Sequence, residues 1–135
     1  FNTKSELVAL VAKYHGKDGD PLLFRNSPIA MFAREFVSNE SSFKNSYKNH
    51  AFVSMSCERY NCYERSYIQS LYDRISEIMS SIKKHKYARG KYKNKLVCVV
   101  TKKTGGYEII SGKHRAAAVL ALGDKDIKVS VYKDI

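Results

Sequence analysis

An α+β fold, with a small mixed sheet packed by helices, is what this chain predicts, and three patterns predict it. Ile68, Leu71, Ile75, Ile78 and Ile82 recur at alternating spacings of three and four, the stripe of a helix lying against a sheet. Short β-branched runs stand at 96–101, 107–110 and 127–132. Between the last two, Ala116 to Leu122 is a run of helix formers. The whole of 1–135 reads as one domain, since 135 residues can bury a core without disulfides or metal. No internal repeat, low-complexity tract or linker divides it.

Taken in order, Ser5 to Lys13 carries Leu7, Val8, Leu10 and Val11 and is expected to form a short amphipathic helix ending near Gly16. The run Gly16-Lys17-Asp18-Gly19-Asp20-Pro21 is a turn by composition, and Leu22-Leu23-Phe24 a short strand. Ser27-Pro28 supplies an N-cap and a first helical residue, with Ile29, Phe32, Ala33 and Phe36 as the buried face of a helix to about Val37. Residues 38–50 are polar and rich in Asn and Ser, the segment expected to be flexible. Tyr63 to Lys84 is the longest helix. A hairpin at Gly105-Gly106 then joins the strands 96–101 and 107–110, and Gly123 stops the following helix before the strand 127–132.

The net charge is +11, from 24 Lys and Arg against 13 Asp and Glu, an excess that attracts polyanions. Seven of those cations and two tyrosines, with no acid, fall in Lys83 to Lys95. Lys86, Arg89, Lys91 and Lys93 there are candidate contacts to a nucleic-acid backbone, and a solvated connector is the alternative. No apolar run approaches the roughly 20 residues that cross a bilayer, and Phe1 to Glu6 has no signal-peptide pattern. The absence of an initial Met points to processing or trimming. Cys57, Cys62 and Cys98 are an odd number, which favours unbridged thiols and a cytoplasmic setting. Cys57 and Cys62, with His50 and Cys98, are too loosely spaced for zinc, so no metal centre of that kind is expected. Tyr47, Tyr60, Tyr63, Tyr67 and Tyr72 either line a base pocket or pack half-buried.

The chemistry concentrates in Ser111-Gly112-Lys113-His114-Arg115, where a strand passes into a helix. A helix start offers unsatisfied backbone N–H groups and partial positive charge, so cationic side chains there work against the dipole unless an anion sits among them. Gly112 allows a close backbone approach to that anion.

Tyr107 to Ala118, continued by Leu120-Ala121-Leu122-Gly123 and by Ile127 to Val131, resembles the phosphate-binding box of the ParB/sulfiredoxin superfamily, with its strand, Gly-x-[His/Arg]-Arg turn and helix. Glu77 to Ile82 resembles the family's helix ending in Ser-Ile, so the likeness covers 68–133. Arg25 to Phe32 resembles the segment after the family's first strand. The resemblance implies nucleotide binding by Ser81, Ser111, Gly112, Lys113, His114 and Arg115. Lys113 stands where sulfiredoxin has its thiol nucleophile, which argues against sulfinic-acid repair. Ser111 stands where the free-serine kinases of the family carry an acid. No helix-turn-helix follows residue 123, which sets the chain apart from an ordinary partition protein.

Two functional expectations follow. One is an enzyme that hydrolyses ATP or CTP or passes its phosphate to an acceptor, with Mg²⁺ and a carboxylate, Glu77 before Glu35 or Glu108. The other is a DNA-binding module in which the nucleotide acts as a switch.

Overall fold

The computed structural model describes residues 3–9, 13–15, 21–87, 96–101, 107–124 and 126–132. The Gly16 to Asp20 turn, the Gly105-Gly106 hairpin, and Arg89, Lys91 and Lys93 lie outside the described residues. The fold is α+β. Its main sheet holds four strands in the order β1 (Thr3–Ala9), β6 (Asp126–Tyr132), β4 (Val97–Thr101), β5 (Tyr107–Ser111). β6 runs parallel to β4, and both outer strands are antiparallel to their neighbours. A separate pair joins β2 (Lys13–His15) to β3 (Pro21–Leu23).

The expected helix at Ser5 to Lys13 is corrected by this pairing: Thr3 to Ala9 forms a full antiparallel ladder along β6, from Thr3 opposite Tyr132 to Ala9 opposite Asp126. Four apolar residues in so short a window do not separate the two periodicities. The ladder decides, because it satisfies the backbone groups on the outer side of β6.

Val97, Val99, Ile109, Ile127, Val129 and Val131 are buried while Cys98, Val100, Lys128 and Ser130 are not, so every second side chain of the central strands enters the core. Against them lies α5 (Lys113–Ala121), which also packs on α1 (Pro28–Ser38) and α4 (Arg65–His85). Ala116, Ala117 and Ala118 are wholly buried. Three small side chains let α5 sit inside the layer, where larger ones would hold its neighbours apart. The expected stripe of α4 enters the core at Leu71, Ile75, Ile78 and Ile82, with Ile68 partly buried and Tyr72 and Met79 added. In α1 the expected cap forms: Ser27 Oγ accepts from Ala30 N at 3.4 Å and donates to Phe24 O at 2.6 Å.

Residues 38–50, expected to be flexible, are instead mostly helical, with α2 (Glu40–Ser46) and a single 3-10 turn at Tyr47–Asn49. Aromatic anchors hold them. Phe43 meets Phe32 edge-on at 5.0 Å between ring centres, and Tyr47 lies 4.7 Å from Tyr72 while donating from its hydroxyl to Gln69 Oε1 at 3.0 Å. Two buried aromatics outweigh a polar composition.

His50 starts α3 (Ala51–Tyr60), its Nδ1 accepting from Phe52 N at 3.0 Å while Nε2 faces Glu35 Oε2 at 3.3 Å. This pairing assigns the hydrogen to Nε2. Burial holds the imidazole below its ordinary value of 6.5, against the opposing pull of Glu35. Since the folded chain takes up this proton less readily than the unfolded one, the cap contributes fully above the ordinary value and is lost as pH falls below it. Replacement by Ala should cost about 0.5–2 kcal/mol in thermal unfolding, whereas Asn, which caps without titrating, should keep most of the stability and flatten its decline in mild acid. Equal behaviour of the two variants would show that the cap contributes nothing.

Candidate phosphate-binding site

The box begins with an irregularity in the sheet. Val99 pairs with Ile109, yet Cys98 pairs with Ser111, so Ile110 is an extra residue, a bulge exposed at the edge. The bulge advances β5 by one position and brings Gly112 beside Val97. Gly112 has φ +89, a left-handed conformation, and forms the N-cap of α5. A Cβ there would stand 3.1 Å from Val97 Cγ2, 3.2 Å from Val97 Cα and 2.8 Å from Arg115 Nη2. Both the dihedral and the backbone of β4 therefore require glycine.

The last of those contacts describes Arg115. Its guanidinium folds back across the start of its own helix, over Gly112. Lys113 and Arg115 are half-buried in that first turn, which holds no acid, and Ser111 is exposed at the end of β5. Ala116 N donates to Gly112 O at 3.0 Å, so the preceding N–H groups point along the axis of α5 away from its body. Two fixed cations thus add to the positive end of the helix dipole.

His114 behaves differently from the cation its place in the box suggests. Burial, helped by the charge of Arg74, lowers its pKa to about 4, so it is neutral near pH 7. Its ring meets Phe52 edge-on at 5.9 Å. Its Nε2 is buried with no hydrogen-bond partner among the described residues. His114 therefore brings the box a polar ring and no charge.

Arg74 was not legible as part of this neighbourhood. It stands on α4 three residues before Glu77 and seven before Ser81, which puts all three on one stripe of the helix. Glu77 is exposed and Ser81 half-buried. Arg74 acts on His114, and α4 packs on α5, so this part of α4 lies within electrostatic reach of the box helix. Of the other acids weighed, Glu35 is engaged with His50, and Glu108 is half-buried on β5.

Tyr87 also escaped the sequence. Its hydroxyl accepts from Val97 N and donates to Lys128 O, both at 2.8 Å, tying β4 to β6 where they begin. Burial raises its pKa, partly offset by the Val97 N–H and by Arg115, so the phenol keeps the proton that it donates. Lys86, just before it, has φ +69 and ψ 166, a backbone that a side chain disfavours. The two Tyr87 bonds hold the chain in that turn. Only chain geometry reveals it, because nothing in Lys86-Tyr87 differs in type from the residues around it.

Lys86 is exposed. The other named cations of that segment lie outside the described residues, but of its flanks Val97 stands beside Gly112 and Tyr87 is hydrogen-bonded to Val97 N. Cys57, Cys62 and Cys98 are unbridged, and no group of three His, Cys, Asp or Glu gathers to hold a metal among the described residues. Of the tyrosines read as either lining a base pocket or packing half-buried, Tyr47 and Tyr72 are buried, Tyr67 is half-buried, and Tyr60 and Tyr63 are exposed.

Residues 55–134 match the ParB N-terminal domain, more than half of the chain, and the chain belongs to that family. The matched region takes in most of α3, then α4, β4, β5, α5 and β6, the elements that build the box. No curated protein and no solved structure matches the chain. Among the described residues no helix is long and apolar enough to cross a membrane.

Gly112→Ala should be the most damaging single-methyl change in the box. Left-handed strain alone costs roughly 1–2 kcal/mol, and contact with the β4 backbone adds to it. Gly123, at φ +102 with open space around it, supplies the control, since Gly123→Ala carries the strain without the contact. A melting temperature no lower for Gly112→Ala than for Gly123→Ala would contradict the close approach to Val97.

Proposed function

We propose that the chain is a nucleotide-binding domain that holds the phosphates of ATP or CTP at Ser111-Gly112-Lys113-His114-Arg115. The observation that carries this reading is the Arg115 guanidinium lying over a left-handed Gly112 at the start of α5. A side-chain fork and a helix N-terminus face the same space, a combination suited to a phosphate. The family is associated with nucleotide and DNA binding, which agrees with this chemistry. Neutral His114 would serve as a hydrogen-bonding group, leaving Lys113 and Arg115 to balance the phosphate charge.

Transfer or hydrolysis of the terminal phosphate is the further part of the proposal. Glu77 would accept the proton of the attacking hydroxyl or meet Mg²⁺, and Ser81 would hydrogen-bond a phosphate oxygen. The fit to Mg²⁺ is of the kind in which a single carboxylate and the phosphates share the ion. Unbridged cysteines agree with a cytoplasmic setting. The net charge of +11 and the position of the basic segment's flanks beside the box favour DNA as a second ligand, contacted by Lys86, Arg89, Lys91 and Lys93.

Calorimetric titration with ATP and CTP, with and without Mg²⁺, tests the reading. Arg115→Ala should weaken binding by about 1.5–3 kcal/mol, the range for a hydrogen bond to a charged group, in a protein whose circular dichroism is unchanged. Unaltered affinity in a folded variant would remove the box from the account. Glu77→Gln should bind nucleotide and lose turnover, and full turnover would exclude Glu77 from the chemistry.

A further inference from the structure

The corner between α3 and α4 displays the two most exposed large hydrophobic side chains among the described residues. Tyr60 is 64% and Tyr63 65% exposed. Their backbone is well held: Asn61 closes α3 in the left-handed conformation, its N–H donating to Glu58 O at 3.3 Å, while Cys62 N donates to Cys57 O at 3.0 Å. The Arg59 guanidinium lies 5.6 Å from the centre of the Tyr60 ring, and Tyr67 meets the same ring edge-on at 6.4 Å. One cation and one neighbouring ring thus orient Tyr60 while most of its surface stays in water. A long arm at the same place would lose much rotamer freedom on binding, whereas an aromatic ring on a fixed corner loses little.

We infer that this corner is a base-stacking platform for single-stranded nucleic acid, with Tyr60 and Tyr63 receiving successive bases and Arg59 backing the first ring. The chain's charge of +11 draws a polyanion. Within the corner Arg59 and Arg65 are balanced by Glu58 and Glu64, so ring faces and not phosphate contacts carry the local recognition. That requirement selects a single strand, whose bases are open, over a duplex, whose bases are already stacked. The platform stands at the N-terminal end of α4, whereas Tyr87 and the basic segment follow its C-terminal end, and α4 is about 30 Å long.

Fluorescence anisotropy of a labelled mixed-sequence oligonucleotide, single-stranded and as its duplex, tests the assignment. The chain lacks tryptophan, so quenching of tyrosine emission on binding is a second readout. The single strand should bind with quenching. The Tyr60→Ala, Tyr63→Ala double variant should lose at least about fivefold in affinity, the lower end for one lost base stack, while the double Phe variant keeps it. The same alanine variant should keep its affinity for ATP and CTP, which separates the platform from the nucleotide box. Absence of single-strand binding, or equal binding by the alanine variant, would overturn the assignment, as a surface serving a protein partner would also produce. An equal loss of duplex affinity in the alanine variant would overturn it too.

Discussion

Val97 leaves no room for a side chain at Gly112, and much of the molecule is arranged around that contact. A residue with a Cβ would push the start of α5 away from β4. The bulge at Ile110 sets the register that brings the two together, and the left-handed turn then aims α5 back across the sheet. Arg115 can cover Gly112 only because the helix starts there. One missing methyl group therefore links the sheet register, the helix direction and the placement of the cation.

Two further devices keep this junction in place. Tyr87 pins the beginnings of β4 and β6 with two hydrogen bonds beside the Arg115 charge, so the strand that meets Gly112 cannot slide along its parallel neighbour without breaking them. Behind it, Ile75, Ile78, Met79 and Ile82 of α4 are buried, each burial contributing about 1.5–3 kcal/mol, and α5 buries three alanines and Val119. The same burial explains the electrostatics. It desolvates His114, which becomes neutral, and leaves Lys113 and Arg115 as the cationic side chains of the first turn.

The second half of the fold was legible because its signals are local. The α4 stripe, the β-branched runs and the glycine between strand and helix each report on their own few residues, and 68–133 carries them all. The first half was not, because its structure is set at a distance. Thr3 to Ala9 is a strand through its ladder with β6, more than a hundred residues away in the chain. Residues 38–50 look like a loop until Phe43 and Tyr47 find Phe32 and Tyr72. His50 lies outside the usual set of capping residues, so the start of α3 had no signal. In the site, residue types near the turn were readable, but the neutral state of His114 and the parts played by Arg74 and Tyr87 arise only from packing.

The central claim is that a nucleotide's phosphates sit where α5 begins. An amide-resolved NMR titration of the folded chain with CTP and with ATP tests it most directly. The account predicts that the largest changes fall on Ser111 to Ala116 and on Val97, with smaller ones on Tyr87 and Arg74. Saturable binding whose changes fall elsewhere, or no binding of either nucleotide with Mg²⁺ present, would contradict it.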